Sequence, residues 1–505
     1  MVLLFVAATA LVACGGSTPT TTPASAGPSG TLTVGINADP PNLDPAQSTA
    51  LVDRYVQYSI FDRLYQLNDK LQIVPMLASA MPKIENNGTV YIIQLRHGIK
   101  FTDGTPFNAQ AVVFNLDRYM NPNSPRSSEL SSVESVSATG PYTVKIVLKA
   151  AYSPLLSMLT DRSGMIGSPK AIRKWGNNFD QHPVGTGPFI YVSRIPGDQI
   201  VLKANPHYWL SGEPKVAHLV YKVVTDPNVE AANLQAGQLD IIDTVTSQTM
   251  GTLSQDPSVK IYATAGIGYQ GFFLNTTAAP FNNVYLRRAV SEAIDRQALV
   301  KVVLAGTAVA GNGPFPPGTP AGPASGAAPA VNDAQAKADL AQGGHPNGFT
   351  FTFVTAAGSP LALLIAQSIQ GMLQKVGITM NIQQQQFGTL LQNCDQKNYQ
   401  ACALGWSGRA DPDGDIYSFF YTGAGLNDSG YSNPQVDSWL NQARTVTNPA
   451  QRLQLYTQIM NQLHQDMPYV FLYYPKNIIA ASTKVKGFVN YPDGIIRVAD
   501  VSISK

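Results

Sequence analysis

Asp411 and Asp413 stand two apart in the run Trp406-Ser407-Gly408-Arg409-Ala410-Asp411-Pro412-Asp413-Gly414-Asp415, which follows a short apolar segment, Ala401 to Gly405. An aromatic ring, a guanidinium and several carboxylates gathered in one small volume could grip a charged solute. Two neighbouring acids are also the equipment of a glycosidase. Pro412 with Gly414 forces a bend, and the glycines let the backbone approach another surface closely. The stretch therefore predicts the mouth of a ligand pocket or, alternatively, a solvated surface turn, because Asp-Pro-Asp-Gly is ordinary turn chemistry. Hydrolysis is the weaker reading of the two acids. Arg409 beside them would keep at least one ionised, whereas a general acid needs a raised pKa.

The elements that must carry this stretch read as an alternation of strands and helices. Leu32 to Ile36 alternates as a strand and breaks into Asp39-Pro40-Pro41-Asn42-Leu43-Asp44-Pro45, where the prolines exclude a regular element. Leu51 to Tyr65 has the spacing of a helix, Val90 to Leu95 that of a strand, and Asn108 caps a helix over 109–119. Asn283 precedes a helix with Leu286, Val290 and Ile294 on one face. Phe349 to Val354, Leu361 to Val376 and Gly377 to Ile382 form a βαβ-like unit, so the class is α/β. Asn448-Pro449 opens a helix that Pro468 ends, and Tyr469 to Tyr474 reads as a buried strand.

At 505 residues the chain exceeds one core, so two or three domains are expected. A net charge of +2 offers no field to hold nucleic acid. Val2 to Ala13 is an apolar run too short to span a bilayer but the size of a signal h-region, although no Lys or Arg precedes it. Residues 17–30 hold only Thr, Pro, Ser, Ala and Gly, the composition of a tether. Cys394 and Cys402, eight apart, are candidates for a local disulfide outside the cytosol.

Several motifs fail their structural tests. Gly266-Ile267-Gly268-Tyr269-Gln270-Gly271 matches the dinucleotide fingerprint as a string, but it leads into the strand-like Phe272-Phe273-Leu274 where the fingerprint needs a helix. No Gly-Lys pair supplies a Walker A lysine, and no Gly-x-Ser-x-Gly occurs. The six histidines are scattered, so neither a metal nor a cofactor is expected.

Six ordered blocks carry a resemblance. Residues 89–109 (from Thr89-Val90-Tyr91 to Phe107-Asn108-Ala109), His182-Pro183-Val184-Gly185-Thr186-Gly187-Pro188-Phe189, Asn205-Pro206-His207-Tyr208-Trp209, residues 231–240, residues 280–296 and the Trp406 region follow one another as in the family 5 extracytoplasmic solute-binding proteins, the receptors of peptide and nickel ABC importers. The resemblance spans about residues 31–500. It implies a bilobed type II periplasmic-binding-protein fold with an additional small domain: lobe I over 31–50, 183–271 and 485–505, the added domain over 51–182, and lobe II over 272–484. Residues 1–13 then resemble a lipoprotein signal, 14–30 a tether, and Cys14 the lipidated mature N-terminus.

The function implied is capture of a small peptide or peptide-like solute between closing lobes, and delivery to an ABC permease by a monomer held at the membrane through its lipid, with no bond made or broken. Backbone at Ala403, Leu404 and Gly405 would pair with the ligand and Trp406 would line a side-chain pocket, with Arg409, Asp411, Asp413, Asn42 and Tyr269 as further candidate contacts. Peptide-binding members resembling this chain carry an aspartate where Arg409 stands. An arginine repels an ammonium and attracts a carboxylate, so either Asp411 takes over the ligand amine or Arg409 holds an acidic group, as of a glutathione-like anion. An oligosaccharide, a nickel chelate, or hydrolysis by Asp411 and Asp413 are the alternatives.

Overall fold

The computed structural model describes residues 27–322 and 328–504. Its backbone is a 12-stranded mixed sheet, ten strands of which run in the order Thr379–Gln385, Thr350–Ala356, Ala401–Ala403, Gln270–Leu274, Tyr469–Ser482, Ile241–Ile242, Thr31–Ile36, His218–Val223, Gln199–Ala204, Phe189–Ile195, with Val259–Ala265 and Ala308–Ala310 added beside Tyr469–Ser482. The 14-residue strand Tyr469–Ser482 joins its two halves. Its first half pairs with Gln270–Leu274 and Ala308–Ala310, and its second with Val259–Ala265 and Ile241–Ile242. The sequence suggests a strand only to Tyr474. Beyond Pro475 the segment Ile478-Ile479-Ala480-Ala481 is apolar at consecutive positions because it is covered on both faces, which hides the period-2 signal.

Each half has its own core. Leu32, Val34 and Ile36 lie with Ile200, Leu202, Leu219 and Tyr221 in one; Phe272, Phe281, Leu286, Val290, Phe351 and Ile369 lie in the other. The expected βαβ unit forms: Thr350–Ala356 and Thr379–Gln385 pair in parallel across the Pro360–Gln374 helix. A smaller unit is built on the antiparallel sheet Lys83–Glu85, Val90–Gln94, Thr143–Leu148, Val133–Gly140. Its core takes in Val112, Leu116 and Tyr119 from the Ala109–Met120 helix, whose first turn Asn108 caps by accepting the Ala111 N–H at 3.0 Å.

Two local expectations need correction. The helix that opens at Leu51 ends at Ile60, not at Tyr65. The Ile60 carbonyl accepts the Gly187 N–H at 2.9 Å, and the next residues run extended into the short strand Tyr65–Leu67. This helix packs with the Thr31–Ile36 core and not with the smaller sheet. The Asp411-Pro412-Asp413-Gly414 bend is the start of a helix, Asp413–Phe420. Asp411 Oδ1 accepts the Asp413 N–H at 2.9 Å, so the turn residues serve as a helix entry.

Candidate solute-binding cleft

Strand Ala401–Ala403 lies between Gln270–Leu274 and Thr350–Ala356, with Phe272 opposite Ala403 and Val354 opposite Cys402. A disulfide from Cys402 to Cys394, on the Phe387–Asp395 helix, fixes its outer side, the two Cα atoms lying 6.4 Å apart. Past Ala403 the chain keeps only its first neighbour. The Leu404 N–H donates to the Gly271 carbonyl at 3.2 Å, the Trp406 N–H to the Tyr269 carbonyl at 2.8 Å, and the Tyr269 N–H to the Trp406 carbonyl at 3.0 Å. Alternation then turns the N–H and carbonyl of Gly405 to the opposite side, where they have no partner among the described residues. That side opens on a cavity of about 200 Å³, lined by Ala403, Leu404 and Gly405 with Phe353, Ile365, Phe387 and Leu472. The Gln270 carboxamide lies against Gly405, where a methyl group would push it aside.

The turn beyond is organised by a residue the sequence reading passes over. Asp415, 1% exposed, accepts the Trp406 Nε1–H at 3.0 Å and the Arg409 N–H at 2.7 Å on the same oxygen. Burial pushes its carboxyl well above the usual carboxylate range, against the opposing pull of Arg409 and the indole. Only the position of Asp415 in the first turn of a helix, facing inward, could have signalled this role. The Trp406 ring packs edge-on to Phe419 at 4.9 Å, and the Arg409 guanidinium lies 4.3 Å above the ring centre.

The two candidate acids are taken up inside the fold. Asp411 holds Arg452 through two bonds, 2.6 and 2.7 Å, and Asp413 holds Arg444 through two more, 2.8 and 2.9 Å. Neither is free to act as nucleophile or proton donor, which removes the hydrolase alternative. Arg409 pairs with neither of them across the turn. Its Nη1 donates to the Gly408 carbonyl at 2.8 Å. Tyr269 is 1% exposed and stands behind the site, its hydroxyl donating to the Asp415 carbonyl at 3.2 Å. Asn42 shapes its own loop: its N–H donates to Asp53 at 3.1 Å and its side chain accepts the Asp44 N–H at 2.8 Å. Cys14 lies outside the described residues.

Opposite Trp406 and Ser407, across a cavity of about 400 Å³, stand Asn37, Leu51, Tyr55 and Asp243 of the first half, with Tyr473 on the Trp406 side. One turn along from Leu51, Arg54 pairs with Asp161 at 3.0 Å, and the Arg162 N–H donates to Asp161 at 2.8 Å. Burial alone would raise the Asp161 carboxyl, but Arg54, Arg162 and Arg409 hold it below its ordinary range. Burial, followed by repulsion from Arg54, pushes the Arg409 guanidinium down. Arg162 is pushed to about 10, again chiefly by burial, and among the described residues its guanidinium bonds to the Ala50 and Thr49 carbonyls at 3.3 and 3.4 Å. Behind the turn, the guanidiniums of Arg409, Arg54 and Arg162 thus share the Asp161 carboxylate, while Asp243 and Asp493 line the cavity itself.

A two-halved sheet crossed by one long strand, with a cavity between the halves, defines a bilobed binding protein of the type II periplasmic class. The family described as "Bacterial extracellular solute-binding proteins, family 5 Middle" matches residues 72–428, and the chain belongs to it. It is 30% identical over 475 residues to the glutathione-binding protein GsiB of Shigella flexneri, with 92% of each chain covered. The structure of HbpA2 from Haemophilus parasuis superposes with a TM-score of 0.83 at 26% identity, covering 94% of this chain and 100% of that one. DppA from Helicobacter pylori in complex with the peptide STSA superposes with a TM-score of 0.82 at 26% identity, covering 94% and 98%. The protein is thus an extracytoplasmic substrate-binding protein of the ABC-importer type and not an enzyme. No described helix is long and apolar enough to cross a membrane.

Proposed function

We propose that the protein captures a small anionic peptide or peptide-like solute between its lobes and hands it to an ABC permease. The observation that carries this reading is Gly405, whose N–H and carbonyl are unpaired among the described residues, at the wall of a largely apolar cavity. An extended ligand backbone can bond there regardless of its side chains, and one apolar or thioether side chain fills the space beside Phe353 and Leu472. An acidic group on the ligand balances the surplus of guanidinium charge at Arg409, Arg162 and Arg54. Asp411 is engaged by Arg452, which favours a ligand anion at Arg409 over a ligand amine at Asp411. Glutathione, a tripeptide with two carboxylates and a small sulfur side chain, fits these demands, and the relatives named as glutathione-binding proteins support it. Export, lipidation at Cys14, attachment to the outer face of the membrane and action as a monomer belong to the same reading.

Calorimetry with glutathione, alongside mass spectrometry of whatever co-purifies, tests it. Arg409→Ala should weaken binding about ten- to a hundredfold, as expected for a charge-assisted bond of roughly 1.5–3 kcal/mol. Undiminished affinity in Arg409→Ala with loss in Asp411→Ala would replace the anion by a ligand amine.

A further inference from the structure

We propose that Ser153 and Arg444 form a latch that fixes the closed arrangement of the smaller unit on the second lobe and, through Asp413, positions the Trp406 turn. The proposal rests on the two-lobe fold but on no particular ligand. The Pro434–Thr445 helix ends with carbonyls that have no partner in the helix itself, as every helix does. Here residues from the smaller unit supply the donors. The Ser153 N–H donates to the Arg444 carbonyl at 2.8 Å, and the Ser153 hydroxyl donates to the Val446 carbonyl at 2.6 Å. Tyr152, whose ring belongs to the core of the smaller unit, lies 5.4 Å from the Arg444 guanidinium. Thr447 comes up against Gly88 on the same unit, where an added Cβ would sit 3.5 Å from its methyl group. One helix end is thus seated between two loops of a unit that is distant in sequence.

Arg444 connects this contact to the cleft. Its guanidinium lies 3.1 Å from the centre of the Tyr417 ring and grips Asp413 with two bonds. Asp413 is the first residue of the helix whose Asp415 holds both the Trp406 indole and the Arg409 N–H. Opening the lobes breaks the two bonds from Ser153 and leaves the Asp413–Arg444 pair intact within the second lobe. Arg444 is therefore a positioning residue: it lines neither cavity but ties the state of the latch to the turn whose Trp406 does.

The test places cysteines at the two ends of the latch. In the full-length chain, Ser153→Cys with Val446→Cys should form a disulfide under mild oxidation, identified by peptide mass mapping, and scattering should then report a compact shape. Persistence of both thiols as alkylatable groups in a folded protein would overturn the proposal. Arg444→Met in the same background should slow disulfide formation about three- to tenfold, in keeping with the modest worth of single contacts. An unchanged rate would remove Arg444 as the positioning residue. Glutathione calorimetry on the unmodified chain is scored separately, so a disulfide that forms in a protein that does not bind glutathione supports the latch and rejects only the ligand reading.

Discussion

The two walls of the cleft handle buried carboxyl groups in opposite ways. On the second-lobe wall, Asp411 and Asp413 each have a dedicated guanidinium, and Asp415 accepts an indole and a backbone N–H. On the first-lobe wall, Glu230 and Asp243 lie together with no cation in bonding reach among the described residues. Glu230 is fully buried, wedged so closely against the Thr31–Ile36 strand that a Cβ on Gly35 would come within 2.7 Å of its Oε1. Burial and then the charge of Asp243 push the Glu230 carboxyl up to about 9, and burial pushes Asp243 to about 6. Paired acids hold a shape over a broad pH range, whereas a facing pair of carboxyls holds it only while protonated.

Breaking a pair on the second-lobe wall should have the largest effect. Arg452→Met leaves the Asp411 carboxylate without its counter-ion in a site where both partners are mostly covered, and it should cost about 2–4 kcal/mol in chemical denaturation. Replacing both partners, Asp411→Leu with Arg452→Met, should recover most of that loss. A double variant as unstable as the single one would mean that Asp411 acts mainly by accepting the Asp413 N–H at the helix entry.

Asp415→Ala should come next. It leaves the Trp406 indole N–H and the Arg409 N–H without acceptors, each worth about 1–3 kcal/mol when buried and less here, where both residues are half-buried. Glutathione affinity should fall with stability, because the turn loses its shape. Retained affinity with lowered stability would separate Asp415 from the binding site.

The smallest effect sharpens the contrast from the other wall. Because both folded pKa values exceed the unfolded ones, the folded state binds more protons, so the contribution of the pair is full below about pH 4 and is lost as pH rises towards about 9. Glu230→Gln should flatten that decline in denaturation midpoints measured from about pH 5 to pH 9. An equal slope in the variant would assign the decline to other groups.

Local sequence determined much of this protein. Period and capping residues placed Ala109–Met120, Val284–Glu292 and Pro449–Asp466 close to their observed limits, because Asn108, Asn283 and Asn448 act within a turn of themselves. The ordered blocks pointed to the family, and the chemistry of residues 401–415 pointed to the cleft, where Trp406 and Gly405 line the cavities. Tertiary structure decided what neighbouring residues could not specify. The strand Tyr469–Ser482 spans both halves because each half offers it an edge, and its covered faces erase the alternation that marks a strand. The partners of Asp411 and Asp413 come from Arg452 and Arg444, which lie 41 and 31 residues away. Asp415 became the anchor of the turn only when its helix turned it inward, since charge pairing and burial depend on which distant segments fold against a residue and not on its neighbours in the chain.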